Sequence, residues 1–591
     1  MKNDLIKLQN QLKLKKVDVY FIPNSDFHNS EYIGDHFKEI EFISNFTGSN
    51  AFLVVTRSEA FLFTDGRYFL QAEKELKGTG IKLMKMGMPD VPPVEEFVAA
   101  KVARGETVAF NGKIVSYKLA QKLNKLIMAK GGKCRYDLDL VSMIWDKRPP
   151  LVNQPLFELD LKYVGITRAE KLAKIRAKMQ EHNANLHVVA SLDNIAYILN
   201  LRGKDIPNST VFYSYLLISE KSAILFADQS KLTQELVEKL KRDLVEIKPY
   251  DNIYTYLSLL SKPTLIDPLK VNYLLYKTIR GTVVEADNPS MHLKAIKHEV
   301  EIENMRLAHL MDGVAVTKFI YFAKTQVKSG KLTEVILSKK LEELRALNHS
   351  FLSPSFESIV GYEQNGALIH YHVDKKNPVS VKAKGLLLVD SGGHYLEGTT
   401  DITRTIVLGD ITKEQKFHFT LVLEAMLNLA AAKFLEGSSG SSLDVLARAP
   451  IWNELLNYRH GTGHGIGHIS EVHEPPIGFR YNVVADRYDS GILKENMTIT
   501  NEPGLYLDSQ YGVRHEQIML VKKLTENEYG KFLSFEMLTL CPFDIDGIDK
   551  KQLSKNNLTL LNWYHGQVYK KLSPYLTTDE AKWLKEVTKP L

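Results

Sequence analysis

Cysteine is nearly absent: of 591 residues only Cys134 and Cys541 carry a thiol, too few and too far apart for a disulfide framework or a thiolate metal site. That scarcity fits a reducing compartment, so the cytoplasm is the expected location. No run approaches the roughly 20 apolar residues of a membrane span. The opening residues, "MKNDLIKLQNQLKLKKVDVYF", read as an amphipathic helix and not as a secretory signal. Charge of one sign is scarce too. The 76 basic and 70 acidic side chains leave a net charge of +6 with no polybasic run, so neither nucleic acid nor a membrane is an expected partner. What is present, 44% apolar and 25% charged residues, is ordinary for a folded protein, and the length calls for several domains.

The chain divides into an N-terminal α/β domain (1–150), a middle α/β domain (151–290) and a C-terminal α+β domain (291–591). "DKRPPLVNQPLFELDL", with three prolines and no periodicity, marks the first boundary. A weak repeat links the first two domains. "VYFIPNSD", "FTG" and "AFLFTD", ending at Asp26, Gly48 and Asp65, recur as "LHVVASLD", "LRG" and "AILFAD", ending at Asp193, Gly203 and Asp228. The similar offsets suggest duplication. From about Met291 a long helical pattern leads into strand-like segments separated by helices, an antiparallel α+β arrangement, followed by a helical tail with no recognisable chemistry.

The chemistry concentrates in the third domain, where nine of the 18 histidines fall between His370 and His515. In "VDSGGHYLEGTTDITRT" the ten residues between Asp390 and Asp401 allow a hairpin turning at Tyr395 and Leu396, with the two aspartates directly opposite. "TITNEPGLYLDSQYGVRHEQIML" sets Glu502 and Glu516 on either side of a second turn. Bare carboxylates so close repel, and a metal ion lets them stay ionised. With one imidazole from "HGTGHGIGHISEVHE", four carboxylates balance two divalent cations. Oxygen-rich coordination with one nitrogen suits Mn2+, Co2+ or Zn2+, and such a pair hydrolyses amides. The glycines of the histidine segment are expected to let backbone pass close to the metals.

These motifs, in this order, resemble the dinuclear pita-bread metallopeptidases, and most closely the three-domain, cytosolic-type Xaa-Pro aminopeptidases. "SDFHNSEYIGDH", "FISNFTGS", "FTDGRYFLQAE" and "NIAYILNLRGKDIPNSTVFYSY" extend the likeness over nearly the whole chain. The resemblance implies two related creatinase-like α/β domains followed by a pita-bread catalytic domain. It also implies two ions, Mn2+ foremost, with Asp390 on one, Asp401 and Glu516 bridging, and His464 and Glu502 on the other. Glu502 would shuttle the proton, His473 would donate to the oxyanion, and His370, His460 and Arg67 would face the substrate, with Arg514 beside Glu516. The implied reaction is attack of a hydroxide shared by the ions on the Xaa-Pro carbonyl of a peptide whose second residue is proline, in a homodimer built through the C-terminal domain. His468 matches no role. The sequence departs from the family pattern at His515 and Gln517, which flank Glu516. The alternatives are a prolidase restricted to dipeptides, a metal-independent creatinase-like hydrolase and a non-catalytic peptide-binding module. Retention of all five ligand types speaks against the last two.

Overall fold

The computed structural model describes residues 2–482 and 487–591. Packing separates the chain into two units, one of Met1–Glu158 with Thr167–Ser290, the other of Leu159–Ile166 with Met291–Leu591. Leu159–Ile166, within the stretch read as middle domain, thus packs with the C-terminal unit, where Asn304 Nδ2 donates to the Lys162 carbonyl at 2.8 Å.

The first unit holds two six-stranded sheets. In the first the order is Lys82–Lys85, Ala60–Thr64, Ala51–Thr56, Val19–Pro23, Thr107–Ala109, Lys133–Arg135; in the second, Val245–Lys248, Ala223–Ala227, Ser214–Ser219, Leu186–Val189, Thr264–Ile266, Val283–Glu285. Strand directions agree pair by pair: the two central pairings on one side are antiparallel and every other pairing is parallel. The repeat in the sequence is therefore a repeat in topology. Segments such as "VYFIP" and "AILFA" lack alternation because both faces are buried. Asn3–Leu14 is helical, burying Leu5, Leu8 and Leu12 on one stripe. One hydrophobic core runs through both α/β domains. At their junction His28 is fully buried, its Nδ1 2.8 Å from the Ala190 carbonyl and its Nε2 2.7 Å from the Tyr250 hydroxyl.

The longest helix of the second unit, Glu299–Gln326, is closed at its start by a reciprocal His298–Glu301 capping box. Two antiparallel sheets frame the site. One orders Ile359–Tyr362, Leu386–Ser391, Ile402–Val407; the other orders Lys433–Leu435, Gly530–Met537, Gln517–Asn527, Thr498–Asn501, Gly463–Gly465, Glu474–Phe479. The helix Lys413–Ala430 buries Phe419, Val422 and Met426 in the core that the six-stranded sheet shares. In the tail, the helix Lys555–Leu572 buries Leu561, Tyr564 and Val568 in that same core, and Thr578–Val587 follows. The whole is two α/β domains of matching topology and an α+β domain, as the sequence implied. No described helix is long and apolar enough to cross a membrane.

Candidate metal centre

The first pair of aspartates lies on a hairpin whose register differs from the expected one. Leu386–Ser391 pairs with Ile402–Val407 so that Asp390 faces Thr403, and Tyr395 pairs with Gly398, so Leu396 and Glu397 make the turn. Tyr395 is unavailable as a turn residue because it is fully buried, its hydroxyl donating to Asp312 at 2.8 Å. The slip is two residues in register, which preserves the face: Asp390 and Asp401 are diagonal neighbours instead of direct opposites.

The two glutamates sit where two ladders meet. Gly504 pairs with Arg514 on one side and Asn501 with Gln517 on the other, so the common register sets Glu502 across from Glu516. The Glu502 N–H donates to the Thr462 carbonyl at 2.7 Å, tying this junction to the histidine segment. His464 projects from Gly463–Gly465, the next strand of the sheet. Its Nδ1 lies 3.0 Å from the Gly465 carbonyl, an atom that can only accept, so the proton belongs on Nδ1. Its Nε2 lies 3.7 Å from Asp401 Oδ2 and 3.5 Å from Glu502 Oε1.

Asp401, His464 and Glu516 each bring one donor atom within 4.8 Å of the others. Burial, then the charges of Asp390 and Glu502, push the Asp401 carboxyl well up. Burial, then Asp401 and Glu502, do the same to Glu516, and Glu502 is pushed up to about 7, chiefly by burial. Asp390 Oδ1 and Glu516 Oε1 are buried without a hydrogen-bond partner. Crowded carboxylates, orphaned oxygens and an imidazole presenting its lone pair are what a divalent cation requires, so these residues fit a metal.

Around this cluster the chain supplies its own supports. Arg514 donates through Nη2 to Asp390 Oδ2 at 2.5 Å, through Nε to Thr403 Oγ1 at 3.1 Å and through Nη1 to the Tyr506 hydroxyl at 2.6 Å. Its direct carboxylate partner is thus Asp390, where Glu516 was expected. Thr403 Oγ1 in turn donates to Glu516 Oε2 at 2.9 Å. Tyr506 donates to His460 Nε2 at 2.8 Å, and His460 Nδ1 donates to the Gly461 carbonyl at 2.7 Å. Both nitrogens of His460 are therefore engaged within the chain, and burial, then Arg514, lower its pKa to about 3. His473, partly buried, sets its ring edge-on to His464 at 4.3 Å between centroids. The following Glu474 is gripped by two buried lysines, Lys297 and Lys294. His370, partly exposed, follows the short turn Glu363–Ala367. Arg67 belongs to the first unit, where Nε and Nη2 hold Asp65 at 2.9 and 2.8 Å. His468 is buried, its Nε2 3.1 Å from the Glu397 carbonyl.

The glycines of "HGTGHGIGH" admit close backbone approach on both sides of His464. A Cβ on Gly463 would stand 1.9 Å from the Thr500 carbonyl oxygen and one on Gly465 2.1 Å from that of Glu474. They let neighbouring backbones close on His464 from both sides. Thr403, Tyr506 and Thr462 escaped the sequence reading, since their roles arise only from the pairing of strands far apart in the chain.

Fold and site together define a carboxylate-and-histidine metallohydrolase domain that follows a duplicated α/β pair in the chain, and comparison with known proteins agrees. Two creatinase/prolidase N-terminal domain models match residues 5–137 and 147–301, the metallopeptidase family M24 model matches 303–523, and the C-terminal region of that family matches 531–591. A probable Xaa-Pro aminopeptidase P of Pyrenophora teres f. teres is 35% identical over 99% of this chain and 92% of its own length. Aminopeptidase P2 of Arabidopsis thaliana is 36% identical over 97% and 86%. The crystal structure of X-prolyl aminopeptidase from Caenorhabditis elegans, described as a cytosolic enzyme with a di-nuclear active site, superposes with a TM-score of 0.94 at 34% identity, covering 100% of this chain and 99% of that one. The chain belongs to the Xaa-Pro aminopeptidase P family of metallopeptidases.

Proposed function

We propose that this chain is a cytoplasmic aminopeptidase that releases the N-terminal residue from peptides with proline in the second position. Asp390, Asp401, His464, Glu502 and Glu516 would hold two divalent ions, Mn2+ foremost, with Zn2+ or Co2+ as alternatives. The observation that carries this reading is the Asp401–His464–Glu516 group, with both acids buried and one carboxylate oxygen unpartnered, in a chain of this family. When bound, the ions would supply Lewis acidity toward the scissile carbonyl and lower the pKa of the attacking water so that it gives up a proton near neutral pH.

The remaining work falls to side chains. Glu502, set across from Glu516, would accept the proton and pass it to the departing proline nitrogen. His473 donates a hydrogen bond to the carbonyl oxygen as charge develops there. His370 would face the substrate, while His460, neutral and fixed by Tyr506 and Gly461, contributes shape and not charge. Proline makes the scissile bond a tertiary amide with no N–H, so recognition rests on a pocket for the ring. A homodimer through the C-terminal domain belongs to the same reading.

Asp401→Asn or Glu516→Gln is expected to abolish Mn2+-dependent release of arginine from Arg-Pro-Pro; unchanged turnover refutes the ligand assignment. A prolidase would cleave Xaa-Pro in preference to Xaa-Pro-Yaa. The expected order is the reverse.

A further inference from the structure

Behind the candidate metal centre lies a second buried guanidinium that the reaction does not use. Arg404, in "DITRT", is 2% exposed and forms no ion pair among the described residues. Its donors instead reach four carbonyls and a phenol. Nη1 donates to the carbonyls of Thr403 and Glu516 at 3.0 and 2.6 Å, Nε to that of Pro542 at 3.2 Å, and Nη2 to that of Cys541 at 2.9 Å and to the Tyr564 hydroxyl at 3.2 Å. The guanidinium stacks 4.0 Å above the Phe543 ring. Arg404 thus grasps the backbone of Glu516 with one hand and the C-terminal extension with the other.

The grip on Glu516 is doubled. The Glu516 N–H donates to the Thr403 carbonyl at 3.1 Å, and Thr403 Oγ1 reaches Glu516 Oε2 at 2.9 Å, so the residue just before Arg404 also orients the carboxylate. On the other side, Tyr564 fixes Arg404. Its oxygen accepts from the Cys541 N–H at 3.1 Å, and its hydroxyl lies 2.9 Å from both the Thr539 and Cys541 carbonyls. Resting on the metal-centre reading, we infer that Arg404 is a positioning residue for Glu516 and that Tyr564 makes the Lys555–Leu572 helix a structural part of the metal centre. The tail, without chemistry of its own, would then set metal affinity from behind.

The test is a Mn2+ titration of the metal-free full-length chain, read by calorimetry, beside thermal unfolding of the metal-free form. Outer supports of metal ligands are worth about 10- to 100-fold in affinity, so Arg404→Lys is expected to weaken binding by that range and Tyr564→Phe by about tenfold. Arg168→Lys, at a buried arginine of the first unit paired with Glu158 and Asp243, serves as control and should leave Mn2+ affinity unchanged while lowering stability. Should Arg404→Lys fail to fold, Tyr564→Phe decides alone. Unchanged affinity in the variants that fold, or an equal loss in Arg168→Lys, overturns the inference. Failure of the unmodified chain to bind Mn2+ overturns the reading of the centre itself, and this proposal with it.

Discussion

Acidification from pH 7.5 to 5 should destabilise the first unit through one side chain, His28. Its ring is enclosed by Tyr213, Tyr215 and Tyr250, with Asp26 as the nearby acid and the Ala190 carbonyl fixing the proton on Nδ1. Burial lowers its pKa from 6.5 to about 4, and the attraction of Asp26 only partly offsets this. The folded state therefore takes up a proton less readily than the unfolded state. The stabilising contribution is fully present above pH 6.5, declines as the unfolded chain protonates, and is gone near pH 4. At about 1.36 kcal/mol per tenfold difference, the span is worth roughly 3 kcal/mol, of which about 2 is lost by pH 5. Urea denaturation of the full chain and of His28→Gln, each at pH 7.5 and pH 5, isolates the effect, because the other buried histidines contribute equally to both proteins. The unmodified chain should lose about 2 kcal/mol more than His28→Gln over this interval. Equal losses would refute the argument that this neutral imidazole joins the two α/β domains.

Three further outcomes follow from the second unit. Tyr506→Phe leaves Arg514 Nη1 and His460 Nε2 without the hydroxyl between them, and should cost about 1–3 kcal/mol of stability together with a loss in kcat/KM on Arg-Pro-Pro, read by denaturation and steady-state kinetics. Gly463→Ala drives a methyl group against the Thr500 carbonyl, parting the strands that carry His464 and Glu502, and should lower Mn2+ affinity at least tenfold in a titration. Lys297→Met strips Glu474 of its nearer cation and should cost about 3–5 kcal/mol in urea denaturation, part of which the double variant with Glu474→Gln recovers.

The legible part of this molecule was its local chemistry. Aspartates flanking a hairpin, glutamates flanking another and a glycine-spaced histidine run are short patterns, and the strand that bears each residue can be read from its neighbours. The duplicated α/β topology was legible for the same reason, since each landmark, "FLFTD" or "ILFAD", lies on one strand and its turn. The register of the first hairpin was not, because what excludes Tyr395 from the turn is Asp312, 83 positions away. Arg404 reads locally as one residue of a strand, and its acceptors at 516, 541 and 564 come together only through packing. The glycines stood out in the sequence, but the carbonyls of adjacent strands that they admit emerge only from the sheet pairing.

The most direct measurement is metal reconstitution of the chelated chain with release of arginine from Arg-Pro-Pro followed at each addition. Activity absent without metal and rising until two Mn2+ are bound per chain is the predicted result. Full release by the metal-free chain, or saturation with Glu516→Gln as with the unmodified protein, would contradict it.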